Sequence, residues 1–198
     1  MSSWSWNIAG NSESGVLRLP SGHMAHVAVE RLPHWPDPNR SVFTYGSAES
    51  TCFDMIAAFA ANPDKARALW PGRIVKIPLG FRITDLSIVD DNYDPVPGVG
   101  LDFQIRARSG LAAAHGVTLV NSIGTIDADY RNEVAVLLTR FVADAPDPRI
   151  PGATALPSNA FQIRHGDRVA QATIGLVLRP GDHSNTVTRS GGFGSTGT

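Results

Sequence analysis

Two aspartates stand two residues apart in Gly124-Thr125-Ile126-Asp127-Ala128-Asp129-Tyr130-Arg131. On an extended segment that spacing puts both carboxylates on one face, where one can take a proton from a water while the other orients it or serves a metal. The alternative is a solvated hairpin. In Arg106-Ala107-Arg108-Ser109-Gly110, basic and hydroxyl groups precede a glycine at a strand end, a pattern suited to holding a phosphate. Gly166-Asp167-Arg168 with Gln171 reads either as a β-turn entering a strand or as a further polar site. The last ten residues, Arg189-Ser-Gly-Gly-Phe-Gly-Ser-Thr-Gly-Thr198, hold four glycines behind an arginine. Glycines at that density let backbone N–H groups converge on an anion, and Arg189, Ser195 and Thr196 add donors. No Lys-Ser/Thr pair follows them, so this is not a Walker phosphate loop, and an unstructured tail is the competing reading. The six histidines show no HxH or HExxH spacing, and Cys52 beside Phe53 reads as a buried small side chain.

The elements that must position these groups are short and alternating. Val27 and Val29 mark a strand that Pro33, Pro36 and Pro38 end, and Val75, Ile77 and Leu79 repeat the pattern. In Leu101-Asp102-Phe103-Gln104-Ile105-Arg106 every second side chain is apolar, and alternation returns at Val134, Val136 and Leu138 and at Phe161 and Ile163. Gly, Pro and Asp turns separate them, which implies an all-β fold, an antiparallel barrel or sandwich with very little helix. Only Asp64 to Trp70 reads as helical. Residues 1–22, rich in Ser, Gly and Asn with Trp4 and Trp6, read as a flexible arm, and Ala143 to Pro157 as a long surface loop.

The chain has 198 residues, 42% hydrophobic and 18% charged, the composition of one globular domain. Seventeen Lys and Arg against 18 Asp and Glu leave a net charge of -1, which argues against a nucleic-acid footprint or a polybasic membrane patch. Any anionic ligand must be met locally. A single cysteine excludes an intramolecular disulfide, and no run of about 18 apolar residues could span a bilayer as a helix. The first ten residues lack a basic stretch followed by an apolar one, so a cytoplasmic protein is expected.

Taken in order, the clusters resemble the five motifs of the trimeric dUTPase family, the deoxyuridine triphosphate nucleotidohydrolases. The first corresponds to Cys52-Phe53-Asp54-Met55 and the second to Arg108-Ser109-Gly110-Leu111-Ala112. The third runs from Gly116 through Asn121 to Arg131, the fourth is Gly166 to Gln171, and the fifth is Arg189 to Gly197. The first motif usually has a small residue where Cys52 stands, and the third a glycine where Asn132 stands. Residues 23–187 would then form the dUTPase-like domain and 188–198 a glycine-rich lid.

The resemblance implies a jelly-roll-like subunit, a homotrimer whose three sites draw on all three chains, and cleavage of dUTP to dUMP and pyrophosphate. Asp127 would activate the water that attacks the α-phosphorus, with Mg²⁺ carried on the triphosphate oxygens rather than on protein ligands. Arg108, Ser109, Gly110 and Gln171 would hold phosphates, and Asn121, with the neighbouring backbone of Gly124 and Thr125, would read uracil. Tyr130 would lie under the deoxyribose and leave no room for a 2′-hydroxyl. Arg189 would close over the nucleotide with Phe193 on the base and Gly194, Ser195 and Thr196 towards the γ-phosphate, while Asp54 and Asp167 would support the site. Two alternatives stand beside this. One is dCTP deaminase, of the same superfamily, for which Glu133 is the nearby candidate carboxylate. The other is a nucleotide-switched binding protein that uses Trp4, Trp6 and the added loop as its partner surface.

Overall fold

The computed structural model describes residues 4–64, 66–141 and 160–180. One sheet orders β1 (Ser5–Ala9), β2 (Ser12–Arg18), β3 (Met24–Arg31) and β7 (Phe81–Val89) as β1-β2-β3-β7. A second orders β10 (Ile123–Ile126), β8 (Val99–Arg106), β13 (Arg168–Leu178) and β4 (Phe53–Ile56) as β10-β8-β13-β4. β6 (Val75–Pro78), β11 (Ala135–Arg140) and β9 (Val117–Leu119) form a third sheet, and β5 (Arg67–Leu69) pairs with β12 (Phe161–Ile163). The pairings between these strands are antiparallel, so the all-β, jelly-roll-like expectation holds.

Alternation sets which face each strand buries. Leu101, Phe103 and Ile105 on β8 meet Phe53 on β4, Phe81 and Ile83 on β7, and Leu138 on β11 in one shared core, all nearly inaccessible to water. Phe103 is the hinge of this packing, with ring centroids 5.5 Å from Phe53 and 5.8 Å from Phe81. Such edge-to-face and tilted rings add to the burial itself.

Two expectations are corrected. The helix expected at Asp64 to Trp70 is not found where Arg67–Leu69 forms a strand, with Leu69 opposite Phe161 and fully buried. A segment this short, between Pro63 and Pro71, cannot hold an isolated helix, so tertiary pairing decides its form. Among the described residues the helix, α1, lies instead at Ser109–His115, where Leu111-Ala112-Ala113-Ala114 has high helix propensity and Gly116 caps the end at φ +64°.

From Ser5 to Arg18 the expected arm is not loose either, because β1 and β2 form a hairpin whose second strand pairs with β3 along its whole length. Their anchors are few but specific. The Trp6 ring lies flat on Gly15, where a Cβ would stand only 2.6 Å from it, and its centroid is 4.4 Å from that of Phe43. Glu13 is 1% exposed, receives the Val42 N–H and the Ser41 hydroxyl, and faces Arg31 Nε at 3.3 Å. The Pro-rich loop and the lid of the sequence reading lie outside the described residues.

Candidate functional site

Asp54, Gln171 and Arg106 fall in one row across three strands, since Gln171 on β13 is paired with Asp54 on one side and Arg106 on the other. Antiparallel partners point to the same face, so Asp54 and Gln171 share a side. A bulge adds a third member. Arg168 pairs with Ile56 but Ala170 pairs with Met55, so one residue is left over and Arg168 turns onto the face of Asp54 and Gln171.

The side chains then interlock. Asp54 Oδ2 accepts Arg168 at 3.1 Å, and Oδ1 lies 3.5 Å from Arg108 Nε. Arg108 also donates to the Arg168 carbonyl at 2.9 Å, and Gln171 donates to the Ala107 carbonyl at 3.1 Å. Ser109 and Gly110 follow at the exposed start of α1. Two guanidiniums held by one carboxylate leave net positive charge at this point of a near-neutral protein. Beside them opens a cleft of about 330 Å³, lined by Arg108, Leu111, Arg164, Asp167 and Arg168 among others. Asp167 acts through the backbone: its Oδ2 accepts the Arg164 N–H at 2.6 Å, closing the turn that delivers Arg168. The sequence reading quoted Arg168 within a motif but gave it no role; its one signal was a basic residue three before Gln171.

The aspartate segment is arranged differently from the extended reading. β10 ends at Ile126, and Asp127 to Tyr130 form a turn closed by the Tyr130 N–H on the Asp127 carbonyl at 3.1 Å. Asp127 and Asp129 are both exposed, but they do not sit two apart on a strand face. Asn121 occupies the turn before β10, its amide nitrogen 3.5 Å from where a Cβ on the buried Gly124 would stand, and Thr125 is exposed opposite Gln104. The Tyr130 hydroxyl donates to the Glu133 carbonyl at 3.1 Å. Burial of its ring, and then the charge of Glu133, push the Tyr130 pKa up.

Within one chain these two groups of residues stay apart. Ile123 is opposite Arg106, whereas Asp127 follows Ile126, which is opposite Phe103. Four strand residues separate the two levels, about 13 Å at the usual rise. Arg189, Phe193, Gly194, Ser195 and Thr196 lie outside the described residues. Glu133, the candidate deaminase carboxylate, is engaged by the fold: its Oε1 accepts the Gly80 N–H at 3.0 Å and faces His34 Nε2 at 2.7 Å. Among the described residues no three His, Cys, Asp or Glu side chains converge as a metal site, and no helix is long and apolar enough to cross a membrane.

An antiparallel β fold that sets the guanidiniums of Arg108 and Arg168 on one cleft is equipped to bind an anion. No family model matches the sequence. The dUTPase of phage phi11 of S. aureus, described with a structural Mg(II) ion, superposes with a TM-score of 0.52 at 16% identity, covering 83% of this chain and 99% of that one. The deoxyuridine 5′-triphosphate nucleotidohydrolase of Neorickettsia sennetsu is 35% identical over 178 residues, 87% of this chain and 97% of the relative. That of Treponema pallidum is 43% identical over 137 residues, 66% of this chain and 80% of the relative. The chain belongs to the dUTPase family.

Proposed function

We propose that this chain hydrolyses dUTP to dUMP and pyrophosphate. The observation that carries the reading is the interlocked set Asp54, Arg108 and Arg168, which gathers positive charge at a cleft, in a chain whose relatives bear the name of that activity. Arg108 and Gln171, with the hydroxyl of Ser109 and the backbone of Gly110, hold the phosphates. Asp54 holds the two guanidiniums together against their mutual repulsion, and Asp167 fixes the turn that presents one of them. Asp127 accepts a proton from water as the water oxygen bonds to the α-phosphorus. The bond from that phosphorus to the bridging oxygen breaks, and pyrophosphate leaves with its electron pair. Mg²⁺ bound to the triphosphate supplies charge neutralisation at the phosphoryl oxygens, and such a metal needs few protein ligands. That fits a chain in which the carboxylate nearest the arginines, Asp54, is already taken by them.

Asn121 and the backbone from Gly124 to Thr125 read uracil, and Tyr130 packs on the deoxyribose. Arg189, Phe193, Gly194, Ser195 and Thr196 close over the bound nucleotide. We infer a complete site assembled from neighbouring copies in a homotrimer; the distance between Asp127, just past the end of β10, and Arg108, two residues past the Arg106 that faces its start, supports this. The cytosol is the proposed compartment, where a chain with one cysteine has no disulfide to form. Purified protein given dUTP and dCTP should release pyrophosphate from dUTP and no ammonia from dCTP. Ammonia release would make it a deaminase, and neither product would leave a binding protein.

A further inference from the structure

The turn that leads into β13 brings a third arginine to the cleft. Arg164 lines it together with Arg108 and Arg168, and Asp167 is the one carboxylate among the described lining residues. That carboxylate accepts the Arg164 backbone N–H at 2.6 Å, while Asp54 is taken up by the other two arginines. Among the described residues no carboxylate stands within ion-pair distance of the Arg164 guanidinium, and the residue is exposed. Two of the three cations share a counter-charge and the third has none.

Its backbone is fixed while its side chain is not. Asp167 N–H closes the turn on the Arg164 carbonyl at 3.1 Å. Ala57, just past β4, donates to the Asp167 carbonyl and accepts the Gly166 N–H, both at 2.8 Å. His165, the next residue in the turn, accepts the Phe59 N–H on Nδ1 at 2.9 Å. A cation on so firm a base has only its own rotamers to order when it meets an anion, which keeps the cost of binding low. Leu111 and Val169 add apolar wall to the cleft, and walls of low dielectric strengthen the field of the charges between them.

We propose that Arg164 binds the β- and γ-phosphates of dUTP, the pair that leaves as pyrophosphate, while Gln171 and Ser109 keep the α-phosphate. The inference rests on the reading of this cleft as the phosphate site, and adds which end of the triphosphate meets which residues. Gln171 lies three positions along β13 from Arg168, up to about 10 Å at the usual rise, and Arg164 precedes that strand across the turn. The row from Gln171 to Arg164 therefore has a neutral end and a cationic end. Neutral donors suit an α-phosphorus that must accept water. The outer phosphates carry most of the charge and gain more as they leave, so they call for the guanidinium that no carboxylate offsets.

The test is calorimetric titration of wild type, Arg164→Ala, Arg164→Lys and Arg82→Ala with inorganic pyrophosphate and, separately, with dUMP. Arg82→Ala is the control for bulk charge, since it removes an equal charge from the exposed pair with Glu30 on β7. Arg164→Ala is expected to weaken pyrophosphate binding about tenfold, the scale of one hydrogen bond between charged groups, and to leave dUMP binding as in wild type. Arg164→Lys should recover part of the affinity, because it keeps the charge and loses the fork. Every variant keeps the backbone N–H that Asp167 accepts, so the turn should hold and Tm should stay in place. Unchanged pyrophosphate affinity in Arg164→Ala, an equal loss for dUMP, or an equal loss in Arg82→Ala overturns the inference. Should Arg164→Ala not fold, Arg164→Gln decides, because removing the charge alone must weaken pyrophosphate in the same way. Wild type that binds pyrophosphate through Arg164 yet leaves dUTP intact refutes the proposed function and spares this contact, whereas wild type that binds no pyrophosphate refutes the contact itself.

Discussion

Asp127 lies exposed at the head of a turn, and in the proposed reaction it takes the proton of the attacking water. Asp127→Asn keeps the shape and removes the proton acceptor, so kcat on dUTP should fall by about 10²-fold or more while a non-hydrolysable dUTP analogue still binds. Near-normal turnover in that variant would pass the role to Asp129. The tyrosines give a pH dependence with a definite sign. Burial, then a neighbouring charge (Glu133 for Tyr130, Cys52 for Tyr45), raises both hydroxyls above the usual value. Each contribution is whole below about pH 10, where neither folded nor unfolded tyrosine ionises, and is lost as pH rises because the unfolded chain releases its protons first. The urea midpoint should therefore decline through the alkaline range, and a flat profile would contradict it. At this scale the sequence showed residue types better than directions. Arg168 and Gln171, three apart, belong on opposite faces of a regular strand, and only the bulge after Arg168 puts them together.

Among the elements, the hairpin of β1 and β2 depends on a buried ion pair rather than on an apolar face. Removing the Glu13 carboxylate leaves Arg31 in a nearly closed site against backbone carbonyls of Pro38 and Arg40. Glu13→Ala should cost about 3 kcal/mol or more, read as a lower urea midpoint at constant slope. A loss below about 1 kcal/mol would mean the hairpin is peripheral to the fold. The same residues explain why this element was illegible from composition. Ser, Gly and Asn are common in loops, yet here a glycine makes space for Trp6, and one glutamate gathers Arg31, Ser41 and Val42. Alternating apolar strands such as β8 and β11 were readable because one buried face needs no partner's identity. The segment Arg67–Leu69 was misread because its strand form depends on β12, which lies more than ninety residues later.

For the whole molecule, the proposed homotrimer divides the site so that each chain offers two half-sites, Asp127 in one and Arg108 in the other, a reading that their separation along the β10/β8 pair supports. Asp127→Asn chains and Arg108→Ala chains, each inactive alone, should regain part of the activity when refolded together, since some mixed sites then combine intact halves. No recovery would place the whole site within one chain. Motif order pointed to such sharing only through resemblance, because no periodicity in one chain encodes the number of copies around it. In the proposed reaction, attack by water on the α-phosphorus is the step on which all these roles converge. Wild-type protein should therefore turn over dUTP in water labelled with heavy oxygen, and the products should be weighed by mass spectrometry. The label is expected in the dUMP phosphate and not in pyrophosphate; label in pyrophosphate, or no cleavage between the α- and β-phosphates, would contradict the mechanism.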